Sequence, residues 1–142
     1  MISALTSTHS TVRLRTFVLA VVVSHGCVVI WHLFVVAKIQ PSLLTPAFVV
    51  FLGTINLLPF LAVSLLNTRF RPLAGWLLLI PLGLALIAGL ISHFFSAGPD
   101  NVFRIPAGTW TWSFRVSAVL LVLLETIGCW LAVVIVRAEW RG

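Results

Sequence analysis

Four titratable side chains, His25, His32, His93 and Glu125, and one amide, Asn56, sit inside long apolar runs of this 142-residue sequence. Each is costly where it is. A charged group at the centre of a bilayer costs at least about 2.5 to 3.5 kcal/mol on insertion scales, so such residues usually face the protein interior and are paired. With a rise of about 1.5 Å per residue, His25, Asn56 and Glu125 fall within roughly 6 Å of one another along the membrane normal, near the middle of their segments. His32 lies one or two turns further out and His93 near the outer end of its segment, with Asp100 and Asn101 just beyond. His25 and His32 are two turns apart and share one helix face.

This pattern supports several kinds of chemistry. A hydrogen-bonded knot of His25, Asn56 and Glu125 would specify which helices pack together, since polar contacts in membranes average about 0.6 kcal/mol and often serve structure alone. Imidazoles from different helices can instead hold a cofactor: His32 with His93 is the natural cross-helix pair for axial haem ligation. Their estimated depths differ by roughly 7 Å, which an untilted pair of helices would not bridge. A copper or zinc ion would draw on His25 or His32 with Glu125. As a third reading, the two tiers form a proton path from the outside to Glu125, though toward the cytoplasm only Ser64, Asn67, Cys129 and small residues follow. A lipid-modifying enzyme with its site at the outer interface is a fourth. The chain carries no P-loop, nucleophile motif or paired-carboxylate site.

The elements that must position these residues are four apolar runs, at approximately 17–39, 46–66, 72–95 and 116–136, each long enough to cross the hydrocarbon core as a helix. With 61% hydrophobic and 8% charged residues, the expected fold is an all-α membrane protein: one integral domain over 1–142, a four-transmembrane-helix bundle with two short connectors and a longer loop at 96–115. The polar opening "MISALTSTHSTV" precedes Arg13 and Arg15 and an apolar run too long for a signal-peptide core, so the first run is expected to be an anchor. The net charge of +6 does not point to nucleic acid, because the nine basic residues sit at helix ends and in loops, where they meet headgroups. Six of them (Arg13, Arg15, Arg69, Arg71, Arg137, Arg141) fall on the side of the termini and three (Lys38, Arg104, Arg115) on the other. The expected topology has cytoplasmic termini and the 96–115 loop outside, in a bacterial cytoplasmic membrane.

Short connectors predict that helices one and two, and two and three, are antiparallel neighbours. Thr45 before Pro46 reads as a helix N-cap, and Pro72 fits a first turn. Pro59 and Pro81 each free a backbone carbonyl inside a span. The run Gly53, Asn56, Phe60, Ser64, Asn67 predicts the protein-facing side of helix two, and Ala85 with Gly89 a close helix approach. Ala118, Gly128, Cys129 and Ala132 share a face with Glu125 and predict that it points inward. Cys27 and Cys129 read as buried free thiols. In the long loop, "GPDN" suits a β-turn with Pro99 second, Asp100 or Asn101 can satisfy backbone donors, Arg104 is an outer cation, and Trp110 and Trp112 are interfacial. The functional expectation is a non-catalytic subunit of a larger membrane assembly, with the bilayer, other subunits or a second copy as partners. Haem or metal binding is the alternative, and a proton-coupled transport component the second.

Overall fold

The computed structural model describes residues 2–139, and side chains over 12–138. Four helices follow one another: α1 (Ile2–Ile39), α2 (Pro46–Leu65), α3 (Arg71–Leu90) and α4 (Thr111–Glu139). A 3-10 turn (Pro41–Leu43) joins α1 to α2, and a π-turn (Ile91–Phe95) extends α3. No strand occurs among the described residues. All four helices contain segments long and apolar enough to span a membrane: Val12–Ile39, Pro46–Leu65, Arg71–Phe95 and Thr111–Ala138. The protein is an integral membrane four-helix bundle.

Two boundaries differ from the sequence reading. Helix α1 continues through the polar opening, because no proline or glycine interrupts "SALTSTHSTVRLR". Helix α4 starts at Thr111, so the long loop ends at residue 110 and both Trp112 and Arg115 are helical. Pro106 and Gly108, which precede that start, hold the loop open until residues with ordinary helical geometry resume. The cap expected at Thr45 is present: its hydroxyl accepts from the Phe48 N–H at 3.2 Å, with Pro46 following. Pro59 and Pro81 both lie inside continuous helices.

Around the bundle the order is α1, α4, α3, α2, with α3 and α4 most closely packed and α1 and α2 the loosest adjacent pair. The short connector makes α1 and α2 neighbours as expected but packs them loosely, with the Phe60 ring of α2 against Gly26 of α1, 3.3 Å from where a Cβ would lie. The tight seam between α3 and α4 runs through Gly75 and Gly128. A Cβ on Gly75 would lie 2.7 Å from Val136 Cγ2, and one on Gly128 2.5 Å from Leu82 Cδ1. In lipid, where apolar burial gives helices no preference for one another, such close backbone approach is what drives packing. The expected Ala85 and Gly89 pair is looser, and Gly89 turns out to face polar side chains instead.

Two apolar cores result. One, at the end of the bundle that carries the termini, takes residues from all four helices, among them Val18, Ala62, Leu78, Leu82 and Ile135. The other, at the long-loop end, joins Val35 and Val36 of α1 to Phe114 and Ala118 of α4 and to Val102 and Ile105 of the loop. Helix α2 belongs only to the first: its buried residues, Pro59, Ala62 and Val63, all lie in its second half. Its first half is splayed away, with Val50 69% exposed and nothing within 4 Å of a Cβ built on Gly53.

The face expected to bury Gly53, Asn56, Phe60, Ser64 and Asn67 is thus not the buried one. Gly53, Phe60, Ser64 and Asn67 are exposed and Asn56 is half-buried. Two of their donors are met inside the helix: Asn56 Nδ2 donates to Leu52 O at 2.8 Å and Ser64 Oγ to Phe60 O at 3.3 Å. Cys27 is also exposed rather than buried, while Cys129 is partly covered; both are free thiols. Arg141, which entered the charge count, lies outside the described residues.

Candidate functional site

Glu125 points inward as the small residues around it predict, and it meets His25. The His25 Nε2 to Glu125 Oε1 distance is 3.3 Å, with both residues about 5% exposed. Asn56 faces the same interior space but bonds neither of them, so the expected three-residue knot is a pair with a neighbour. The second carboxyl oxygen, Oε2, has no hydrogen-bond partner, and neither has Asn56 Oδ1. Oε2 lies 3.8 Å from the point a Gly89 Cβ would occupy.

One to two turns toward the loop end, His32 and His93 are in ring contact, with centroids 5.0 Å apart and planes at 74°. The roughly 7 Å depth difference expected from sequence does not keep the two rings apart. The wide turn at Ile91–Phe95 holds His93 as its buried residue, in keeping with the frequent use of π-bulges at functional sites. Phe114 packs against both rings, 4.9 Å from His32 and 5.6 Å from His93. His32 Nδ1 meets Ser117 Oγ at 2.8 Å. Because that hydroxyl donates to the Ser113 or Phe114 carbonyl, it accepts from the His32 Nδ1–H. His93 Nδ1–H likewise donates to the backbone carbonyl of Asp100 at 3.1 Å. In their neutral forms both imidazoles therefore keep Nε2 as an acceptor. Ser117 and Phe114 were missed in the sequence; the four-residue spacing of Ser117, Leu121 and Glu125 places all three on one face of α4 and is the signal that marks Ser117.

The loop from 96 to 110 closes this end. Gly98 to Asn101 forms the expected turn, with Asn101 N bonding Gly98 O at 3.3 Å. Asn101, not Asp100, satisfies the backbone: its Oδ1 accepts from Phe103 N and its Nδ2 donates to Ser96 O. Arg104 donates to Ala97 O from an exposed position, and Arg115 Nε donates to Val102 O at 2.8 Å, tying the loop to α4. Trp110 packs edge to face against Trp31 and Phe34 of α1, while Trp112 is 73% exposed.

Asp100 stands apart, because its Oδ1 is buried without a partner. Burial raises its carboxyl above the ordinary value of 3.8, and the neighbouring His93 offsets part of that rise. The sign follows from linkage: an acid whose folded pKa is raised costs nothing while protonated in both states, and stability falls as pH climbs from about 3.8 through the higher folded value. Thermal midpoints of purified protein at stepped pH from 4 to 8 are expected to decline less steeply in Asp100→Asn than in the native chain. A native midpoint that rises more steeply with pH than the variant's would contradict the assignment.

Between the two tiers lies a cavity of about 190 Å³. Apolar side chains such as Phe48, Phe51, Leu52, Ile55 and Leu84 form most of its wall, and the polar residues border it: His25, Asn56 and Glu125 at the midplane, Ser92, His93 and Asp100 at the loop end. Because Phe48, Phe51 and Leu84 are 40%, 57% and 56% exposed, the cavity reaches the lipid-facing surface beside the splayed half of α2.

The donor sets for haem or a metal fare less well. Bis-axial ligation needs two imidazole nitrogens on opposite faces of a porphyrin, whereas the His32 and His93 rings touch edge to face with no slot between them. His25 and Glu125 supply two donors, and no group of three or more His, Cys, Asp or Glu able to hold a metal occurs among the described residues, short of the three protein ligands of a catalytic zinc site. No family model, curated protein or solved structure matches the chain.

Proposed function

We propose that this protein binds a small lipid-soluble amphiphile, which enters the cavity from the bilayer past the splayed half of α2. The observation that carries the reading is a ring-sized, mostly apolar space bordered by buried polar atoms that lack partners. An engineered apolar cavity of about 150 Å³ takes benzene, so about 190 Å³ accommodates one six-membered ring with small substituents. A longer tail leaves through the opening into lipid. Binding of this kind fits a non-catalytic role, alone or as a subunit of a larger assembly, with cytoplasmic termini as the basic residues direct.

A through-membrane proton path receives less support, because the four-helix apolar core, with Leu82, Leu131 and Ala132, fills the bundle between Glu125 and the termini. The test is photolabelling in phosphatidylcholine nanodiscs with a long-chain alcohol carrying a diazirine. Label is expected on the cavity wall, at Leu52, Ile55 and Leu84, in excess of that on outward residues such as Ile30 and Leu123. Labelling of the outward residues alone would refute entry.

A further inference from the structure

The polar rim of the cavity has a chemical sense: its partnerless side-chain atoms are oxygens, Glu125 Oε2, Asn56 Oδ1 and Asp100 Oδ1. Glu125 Oε1 is engaged by His25. With the carboxyl ionised, or with its single proton held in that contact, Oε2 is an acceptor. Asn56 spends its Nδ2 on Leu52 O and presents Oδ1. His93 spends its Nδ1–H on Asp100 O, which leaves Nε2 as an acceptor in the neutral ring. A ligand that satisfies this rim must donate hydrogen bonds, and buried acceptors left unmet cost about 1 to 3 kcal/mol each.

Gly89 is where the rim closes to a single head-group position. Glu125 Oε2 and His93 Cδ2 lie 3.8 and 3.9 Å from the point its Cβ would occupy, so at most twice that distance separates the midplane carboxyl from the loop-end imidazole. A methyl there would make ordinary contacts with both, and a larger side chain would press on them. Glu125 is itself 5% exposed, with Oε2 turned into the gap.

Resting on the reading of the cavity as an amphiphile site, we infer that its ligand is a lipid-soluble hydroquinone, whose ring lies over Gly89 with one hydroxyl donating to Glu125 Oε2 and the other to the loop-end acceptors at His93. Three features select this class together: acceptors at both ends, a volume that suits one ring, and an exit to lipid for the tail. A long-chain alcohol would meet one end only. Binding as described involves hydrogen bonds and no electron transfer.

The experiment uses the full chain in phosphatidylcholine nanodiscs and two probes, decylhydroquinone under reducing conditions and decylbenzene, which has the same ring and tail without oxygens. Decylhydroquinone is expected to bind the native protein at least tenfold more tightly than decylbenzene. Gly89→Leu is expected to abolish that preference by filling the gap. Gly89→Ala, whose added methyl would make ordinary contacts at 3.8 and 3.9 Å, is expected to fold like the native chain and to weaken decylhydroquinone several-fold, which keeps the test informative if the leucine variant does not fold. Equal binding of the two probes to the native protein would overturn the hydroquinone assignment and leave the cavity reading standing. No binding of either would overturn both. Undiminished decylhydroquinone affinity in Gly89→Ala, together with Gly89→Leu where that variant folds, would overturn the placement over Gly89.

Discussion

Replacing Gly75 by valine is expected to separate α3 from α4 and to produce the largest loss of stability of any single change in the spans. A Cβ there meets Val136 Cγ2 at 2.7 Å, Ile135 Cγ2 at 3.3 Å and the Val136 backbone nitrogen at 3.4 Å. Val136 and Ile135 are β-branched and stiff at χ1, and valine adds two methyls beyond that Cβ, so the helices themselves must move. Overpacking by a methylene or two typically costs about 1 to 3 kcal/mol, and valine at a glycine contact adds more than that. Gly128→Ala is the control. Its new Cβ meets the flexible end of Leu82 at 2.5 Å, and alanine recovers up to about 1 kcal/mol of helix propensity over glycine. Unfolding monitored in mixed micelles should place Gly75→Val well below Gly128→Ala. Equal midpoints for the two would show that the Gly75 contact is not what sets the α3–α4 spacing.

The second large effect belongs to Glu125. Truncation to alanine removes the partner of His25 Nε2 and enlarges the cavity at its buried floor, with an expected cost of about 1 to 3 kcal/mol. Glu125→Gln keeps the size and one hydrogen bond, and its expected cost is nearer the membrane average of about 0.6 kcal/mol. A double-mutant cycle with His25→Ala isolates the pair, and its coupling energy is expected between about 0.6 and 1.7 kcal/mol. A coupling of zero would mean that the two side chains do not bond in the folded protein. If the carboxyl oxygen is the ligand's acceptor, Glu125→Ala also loses the preference for the hydroxylated probe.

The class of fold and the inward face of Glu125 were legible because both depend on strong local signals: four runs of sufficient length, and small residues at helical spacing around a carboxyl. Which faces of α2 are buried was not legible. Asn56 and Ser64 satisfy their donors inside the helix, so their polarity says little about the side that meets protein. The same loss of information affected the depth of His93, since a single extra residue in a helical turn at Ile91–Phe95 changes the direction of everything on it without altering composition. Gly89 was readable as a packing position, but that its absent side chain faces a carboxyl and an imidazole depends on four segments meeting at once.

The attachment of α2 by its second half alone has a mechanical consequence. A bundle packed tightly at one end and splayed at the other takes up unequal area in the two leaflets, so it acts as a wedge. Lateral pressure in the leaflet at the loop end then pushes α2 toward α1 and works against the open space between them. Bilayer composition becomes a control on occupancy: lipids with bulky, loosely packed chains relieve that pressure, whereas tightly ordered chains press the wedge shut.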